Sequence, residues 1–164
     1  MNHRLRSVLI ICGVVLLDWL SKIYVRTHVS AIGSFPVIPG FFNIVHAENP
    51  GAAFSMLADA PPQVRSIFLI GVSAVVMAII GVMLWRSPAV ARDKLMHTGL
   101  AIVFGGALGN FLDRVFRGTV TDFAQFFFGS YEFPSFNVAD SAINIGAALL
   151  LWEMWRGRGT ASTR

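Results

Sequence analysis

The sequence predicts an all-α membrane protein with four spanning helices and a small β-sheet on one side of the membrane. Of its 164 residues, 55% are hydrophobic and only 13% are charged, and the mean hydropathy is +0.64. A soluble domain of this size needs a polar surface that this composition does not supply, so lipid must be the solvent for much of the surface. Four long apolar stretches and an uneven distribution of Lys and Arg support the same prediction, for a single domain over residues 1–164.

The four apolar stretches are long enough to cross a bilayer, since about 20 residues span roughly 30 Å of hydrocarbon. They are residues 7–25, 66–85, 95–114 and 138–155. The second has no charged residue between Ser66 and Trp85. The first follows basic residues, as a signal peptide would, but no small-residue cleavage site comes after it. We therefore expect it to be retained as the first helix.

The basic residues predict how the helices are oriented, because Lys and Arg are enriched in cytoplasmic loops. Eight of the 13 Lys and Arg residues lie before the first stretch, between the second and third, or after the fourth, and these segments share one side of the membrane. They are Arg4, Arg6, Arg86, Arg92, Lys94, Arg156, Arg158 and Arg164. Both termini are therefore predicted to be cytoplasmic, and residues 27–65 and 115–137 to be periplasmic. This bias, together with anionic lipid, explains the net charge of +4 without a nucleic-acid partner.

The two predicted periplasmic loops are more than connections. Residues 27–65 are too long for a simple connector and too apolar to be disordered. Gly and Pro separate short β-like runs in it, such as Phe41–His46, so we expect a small sheet on the outer membrane surface. Residues 115–137 are similar and contain three consecutive phenylalanines, Phe126–Phe128. Exposed aromatic loops of this kind indicate a partner that is itself embedded in lipid.

Polar side chains that are unfavourable in hydrocarbon concentrate near the outer ends of the predicted helices. Asp18 and Lys22 lie four residues apart in the first helix, so they share a face and can neutralise each other. The third helix, the outer loop after it and the start of the fourth helix contribute Asn110, Asp113, Arg114, Asp122, Asn137 and Asp140. Ionisable groups inside spanning segments indicate function by default, so this convergence at one depth predicts a functional site.

Two local patterns predict how the third and fourth helices begin and pack. Gly105, Gly106 and Gly109 form a surface of small residues on which another helix can pack closely. Asn137 and Asp140 are three residues apart, as are an N-cap residue and the acid that completes a capping box. Asp140 therefore has a structural interpretation beside any catalytic one.

The acids are the residues best suited to chemistry. The sequence has no HExxH or GxSxG motif and its four histidines are scattered, so we expect neither a metal nor a cofactor. Two carboxyl groups in one site share a proton, and one can then activate water while the other protonates a carbonyl oxygen. Asp122 and Asp140 flank one outer loop and are candidates for this pair. The alternatives are a small proton-coupled transporter or channel subunit that uses its intramembrane acids, and a non-enzymatic assembly factor.

Five motifs resemble those of one family in order and spacing. They are DWLSK (18–22), AENPGAAFS (47–55), GGALGNFLDR (105–114), VTDF (120–123) and FNVADS (136–141). Together they span nearly the whole chain and resemble the bacterial lipoprotein signal peptidases, the type II signal peptidases. The resemblance implies a membrane aspartic endopeptidase with four spanning helices, a periplasmic β-cradle and a short periplasmic helix.

The resemblance also implies a substrate and a set of residues. The substrates would be diacylglyceryl-modified prolipoproteins, cleaved before the lipidated cysteine by a monomer in the bacterial inner membrane. The site would lie at the periplasmic face, next to membrane phospholipid, and would bind the antibiotic globomycin. The catalytic acids would be Asp122 and Asp140. The residues that support them or border the substrate would be Asp18, Lys22, Asn49, Gly51, Ala52, Asn110, Asp113, Arg114 and Asn137.

Overall fold

A computed structural model describes residues 2–31, 33–51, 61–86 and 94–161. In chain order its elements are α1 (His3–His28), β1 (Ser34–Ile38), β2 (Phe42–Asn49), α2 (Pro62–Arg86), α3 (Lys94–Arg117), β3 (Val120–Phe128), β4 (Tyr131–Glu132) and α4 (Val138–Ala161). Each of the four predicted apolar stretches lies inside one of these helices. The short additional helix that the resemblance implies is not among the elements of the described ranges.

The small predicted sheet is present and draws on both of the predicted periplasmic loops. Its four strands are antiparallel in the order β1-β2-β3-β4. In the central pair, Ala47 lies opposite Asp122 and Asn49 lies opposite Val120. Side chains alternate between the two faces of a sheet, so this register places Asn49 and Asp122 on the same face.

Helix α3 is the centre of the helical part, since it packs against α1, α2 and α4. The predicted small-residue surface makes this possible. A Cβ atom on Gly105 would press on Val14 of α1, and one on Gly106 would overlap the backbone carbonyl of Ala139 in α4. The prediction of close helix packing at these glycines is confirmed.

The distribution of side chains is that of a multi-pass membrane protein. Large apolar residues are exposed along the helices, for example Leu17, Ile67 and Trp155, whereas the ionisable Asp18 and Lys22 are buried. Within the described residues, α1, α3 and α2 from Gln63 are long and apolar enough to cross a membrane. Helix α4 is of similar length but is not one of these three. The count of four spans and their orientation therefore remain predictions.

Candidate active site

Asp122 is held on the sheet by a neighbouring strand. It lies in β3, is 3% exposed, and its Oδ2 accepts a hydrogen bond of 2.9 Å from Asn49 Nδ2 of β2. The backbone N–H of Gly51 donates to Asn49 Oδ1 at 2.8 Å, which turns the amide NH2 toward the acid. Gly51 has a φ of +92°, and a side chain there would overlap Leu69, so only glycine fits this position. Ala52 lies outside the described residues.

Asp140 is held at the N-terminus of α4 by the predicted capping box. Asn137 is the residue before the helix, and its Oδ1 accepts from the backbone N–H of Asp140 at 2.9 Å. In return, Asp140 Oδ2 accepts from the backbone N–H of Asn137 at 3.2 Å. The capping interpretation of Asp140 is therefore confirmed, and it places the carboxyl group at the positive end of the helix dipole.

Two asparagines connect the two acids. Asn137 Nδ2 donates to Asp122 Oδ1 at 2.7 Å and to Asn110 Oδ1 at 3.2 Å. Asn110 Nδ2 donates in turn to Asp140 Oδ1 at 2.8 Å. Asn137 thus bonds to Asp122 through its side chain and to Asp140 through its backbone. Each of the four carboxyl oxygens accepts one N–H, and the two acids occupy one site.

A buried ionic cluster lies behind this site. Lys22 Nζ donates to Asp18 Oδ2 at 2.7 Å and is 2.9 Å from Asp113 Oδ2. Asp113 is also paired with Arg26 at 3.3 Å. Asp18 Oδ1 accepts from the backbone N–H of Ala139 at 2.9 Å, so the cluster also holds the first turn of α4. The sequence reasoning missed Arg26, although it follows Lys22 by four residues and so shares its helix face.

Arg114, one of the predicted supporting residues, makes no hydrogen bond to either acid within the described ranges. Within the described ranges its hydrogen bond is from Nη1 to the backbone carbonyl of Asn110 at 3.3 Å. Its Nε is buried and has no hydrogen-bond partner there. Asp140 and Asp122 are near enough for their charges to act on it. Arg114 therefore has an N–H donor without a hydrogen-bond partner among the described residues, within range of the charges of both acids.

The electrostatics of the site favour a proton on Asp122. Burial and, to a smaller extent, the nearby charge of Asp140 raise the pKa of its carboxyl group from 3.8 to about 6. The hydrogen bonds from Asn49 and Asn137 lower it but do not offset the burial. Asp122 can therefore hold or release a proton near neutral pH, as a catalytic acid must.

The opposite face of β2 and β3 carries a second polar cluster, which the sequence reasoning also missed. The carboxylate of Glu48 accepts hydrogen bonds from Thr119 and Thr121, and contacts His46. Burial would raise the pKa of Glu48, but these bonds outweigh it and lower the pKa. Because Glu48 is opposite Thr121, the cluster fixes the register of the strands that carry Asn49 and Asp122.

In the described part of the chain, no three His, Cys, Asp or Glu residues are placed to hold a metal ion. What the residues do provide is a pair of acids, Asp122 buried and Asp140 half-buried, with an amide network around it. Such a pair can hold one proton and act on a water molecule as both base and acid.

Comparisons with known proteins point to one family. Residues 10–156 match the family model described as signal peptidase (SPase) II. A lipoprotein signal peptidase from Yersinia pestis (strain Pestoides F) is 46% identical over 143 residues, 85% of this chain and 80% of that protein. Another, from Desulforapulum autotrophicum, is 41% identical over 157 residues, 94% of this chain and 95% of that protein.

Two solved structures share the fold, and both are described as bacterial membrane enzyme structures. One has a TM-score of 0.81 and 32% sequence identity, and the alignment covers 97% of this chain and 92% of that one. The other has a TM-score of 0.79 and 34% identity, and covers 91% and 92%. All five motifs fall within the residues that the family model matches.

Proposed function

This chain belongs to the signal peptidase II family, and we propose that it is an aspartic endopeptidase in which Asp122 and Asp140 activate a water molecule. Family membership makes it a multi-pass membrane peptidase that removes signal peptides from prolipoproteins. The transporter and assembly-factor alternatives have no support of this kind. The proposal adds the catalytic pair, the position of the cut and the side of the membrane.

The observation that carries the proposal is the link between the two acids through Asn137. They come from a strand and a helix, yet Asn137 bonds to both. Two carboxyl groups that are bonded to the same residue in one site hold one proton between them. The positive end of α4 favours the ionised form of Asp140, and burial favours the protonated form of Asp122. We therefore assign the shared proton mainly to Asp122.

Hydrolysis follows from this assignment. Asp140 removes a proton from water, whose oxygen adds to the carbonyl carbon of the scissile peptide, while Asp122 donates its proton to the carbonyl oxygen. The uncommitted Nε of Arg114 stabilises the charge that develops on that oxygen. The proton taken up by Asp140 then passes to the amide nitrogen, the C–N bond breaks, and Asp122 recovers its proton from the new carboxyl group.

The surroundings of the site suit a lipid-modified substrate. Several large apolar side chains of the sheet are exposed, among them Phe35, Val37, Phe41 and Phe128. At the periplasmic surface of the inner membrane they would contact phospholipid and the diacylglyceryl group. The peptide before the lipidated cysteine would then lie beside Gly51 and the two acids, where globomycin would also bind.

The test is to replace each acid by its amide. Asp122→Asn and Asp140→Asn should each lower the cleavage rate of a lipidated prolipoprotein in detergent or liposomes by at least about 10²-fold. Asparagine has nearly the same shape and can still accept the capping hydrogen bond, so both variants should insert and fold. EDTA should leave the activity of the native chain intact.

Glu132→Gln is the matched control, since it makes the same chemical change on the exposed β4 strand. It should cleave at the native rate. Near-native turnover by either aspartate variant would exclude the proposed pair, and loss of activity in EDTA would indicate a metallopeptidase instead.

A further inference from the structure

The orientation of the Asn110 amide determines whether Asp140 accepts a hydrogen bond from its NH2 group or faces its carbonyl oxygen. An asparagine side chain can be rotated so that its oxygen and its NH2 group exchange places, and only the NH2 group can donate. Asn110 donates to Asp140 Oδ1, so its carbonyl oxygen must point away from that acid. If the amide turned round, its oxygen would face a carboxylate, and Asp140 would lose a donor.

Lys22 holds the amide in the required orientation. Its Nζ donates to Asn110 Oδ1 at 2.9 Å, and an ammonium group can only donate. Asn137 Nδ2 approaches the same oxygen at 3.2 Å. Two donors therefore fix Oδ1 on the side away from Asp140, and the Lys22 bond is the shorter.

Charge neutralisation does not require this third bond. The other two partners of Lys22 are Asp18 and Asp113, and Asp113 is also paired with Arg26. Two cations and two anions balance without Asn110. Lys22 is 1% exposed, so its third N–H cannot reach water and is directed at the amide instead. The simple interpretation of Asp18 and Lys22 as a neutralising pair leaves this contact unexplained.

We propose that Lys22 is a positioning residue that acts on Asp140 through Asn110. The other two amides of the site are oriented by backbone N–H groups, Asn49 by Gly51 and Asn137 by Asp140. Asn110 is oriented by two side chains, of which Lys22 makes the shorter bond, so its main restraint can be removed by substitution. This inference rests on the proposed function, because it assigns Lys22 a role in the same hydrolysis.

The test is Lys22→Met, which keeps a long unbranched side chain and removes all three N–H donors. The kcat for prolipoprotein cleavage should fall by about 10²-fold, since small misplacements of a catalytic group have effects of this size. The KM should stay within about threefold, because Lys22 is buried and does not contact the substrate. The matched control is Lys94→Met, which makes the same chemical change at the exposed first residue of α3, outside the site, and it should keep kcat within about threefold.

A second variant guards against misfolding. Lys22→Met leaves Asp18 without its cation, which can destabilise the fold. Asp18→Asn in the same chain removes that charge and keeps an oxygen for the Ala139 N–H. A large fall in kcat in a folded Lys22 variant, with KM unchanged and Lys94→Met active, supports the inference. Native-like kcat in a folded Lys22 variant, or an equal loss in Lys94→Met, overturns it.

The same assay separates the two proposals. If the native chain does not cleave, or if Asp122→Asn cleaves normally, the proposed function fails. If the native chain cleaves, Asp122→Asn does not, and the folded Lys22 variants keep native kcat, only the role of Lys22 is wrong.

Discussion

At the scale of single residues, the candidate site depends on asparagine side chains whose carbonyl oxygen and NH2 group are both hydrogen-bonded. The carbonyl oxygens of Asn49, Asn110 and Asn137 each accept from a fixed donor, and their NH2 groups face the two acids. An amide held at both ends cannot rotate to follow a change in charge. The network therefore pre-organises the carboxyl groups before a substrate binds.

The pKa of Asp122 predicts how activity depends on pH. Burial raises this pKa to about 6, so the carboxyl group holds its proton below that pH and loses it above. A pair that has lost the shared proton has no acid for the carbonyl oxygen. The kcat/KM for cleavage should therefore fall on the alkaline side, with a midpoint of about pH 6 in the free enzyme.

The measurement is kcat/KM for a lipidated prolipoprotein from about pH 5 to 9, with the folded state checked at each pH. The midpoint belongs to the pair of acids and not to one of them alone. A rate that stays constant across this range would show that the proton on Asp122 takes no part in the rate-limiting chemistry.

The sequence predicts well which two acids share the site. It predicts less well which residues support them. Asp122, Asn137 and Asp140 are found in one site because their motifs flank one short outer loop. Arg26 and Glu48 were missed because their roles depend on contacts with residues far along the chain, Asp113 and Thr121. Spacing within one helix or strand carries no information about such partners.

At the scale of elements, α3 carries both the packing surface and part of the site. Gly106 and Gly109 let α4 and Asp18 approach, and Asn110 follows directly. The distance between α3 and α4 therefore sets the distance between Asn110 and Asp140. A change in helix packing should affect stability and cleavage together.

Gly106→Ala tests this coupling. The new methyl group would overlap the Ala139 carbonyl and press on Ile143, so we expect a loss of about 1–3 kcal/mol of stability, as for other overpacked interiors. Cleavage should fall as well, because α4 carries Asp140. The measurements are the thermal unfolding midpoint in detergent and the cleavage rate.

Gly71→Ala is the matched control on α2, because a Cβ there meets nothing within 4 Å. In a helix interior, alanine is preferred over glycine by about 0.5–1 kcal/mol, so this variant should be as stable as the native chain or more so. Equal stability losses in the two variants would mean that the close approach of α3 and α4 is unimportant.

The helices could be predicted from the length of the apolar stretches. The presence of the sheet could be predicted too, but the register of its strands could not. The run Phe41–His46 indicated a strand, and β2 runs from Phe42 to Asn49. The pairing of Ala47 with Asp122 could not be read from the sequence, because an irregularity between Ile44 and Ala47 shifts the register. A shift of this kind decides which side chains share a face with Asp122.

At the scale of the whole molecule, several ionisable and polar side chains are buried in the protein, whereas many large apolar side chains are exposed on its surface. Asp18, Lys22 and Asp122 are buried, whereas large apolar side chains of α1 and α2 are exposed. Lipid contact makes this arrangement stable, since it leaves the apolar surface out of water. The buried polar groups are then available to one another, so the amide network and the ionic cluster come to lie together at one end of the helices.

The number of spans follows from which sides the two ends of the chain occupy. Three of the described helices are long and apolar enough to cross a membrane, and α4 is not one of these three. If α4 also crosses, the number of spans is even and the termini share one side. If it does not, they lie on opposite sides. The Lys and Arg distribution predicts that both are cytoplasmic.

Single cysteines can decide between these arrangements. In a Cys12→Ala background, a membrane-impermeant maleimide should label Glu132→Cys in intact spheroplasts. It should label Asn2→Cys and Arg156→Cys only after the membrane is permeabilised, because both exposed positions would face the cytoplasm.

Labelling of Arg156→Cys but not Asn2→Cys in intact spheroplasts would mean three spans. The first turn of α4, with Asp140, would then belong to a helix that does not cross the membrane. Labelling of both ends but not Glu132→Cys would invert the protein and place Asp122 and Asp140 at the cytoplasmic face, away from exported prolipoproteins.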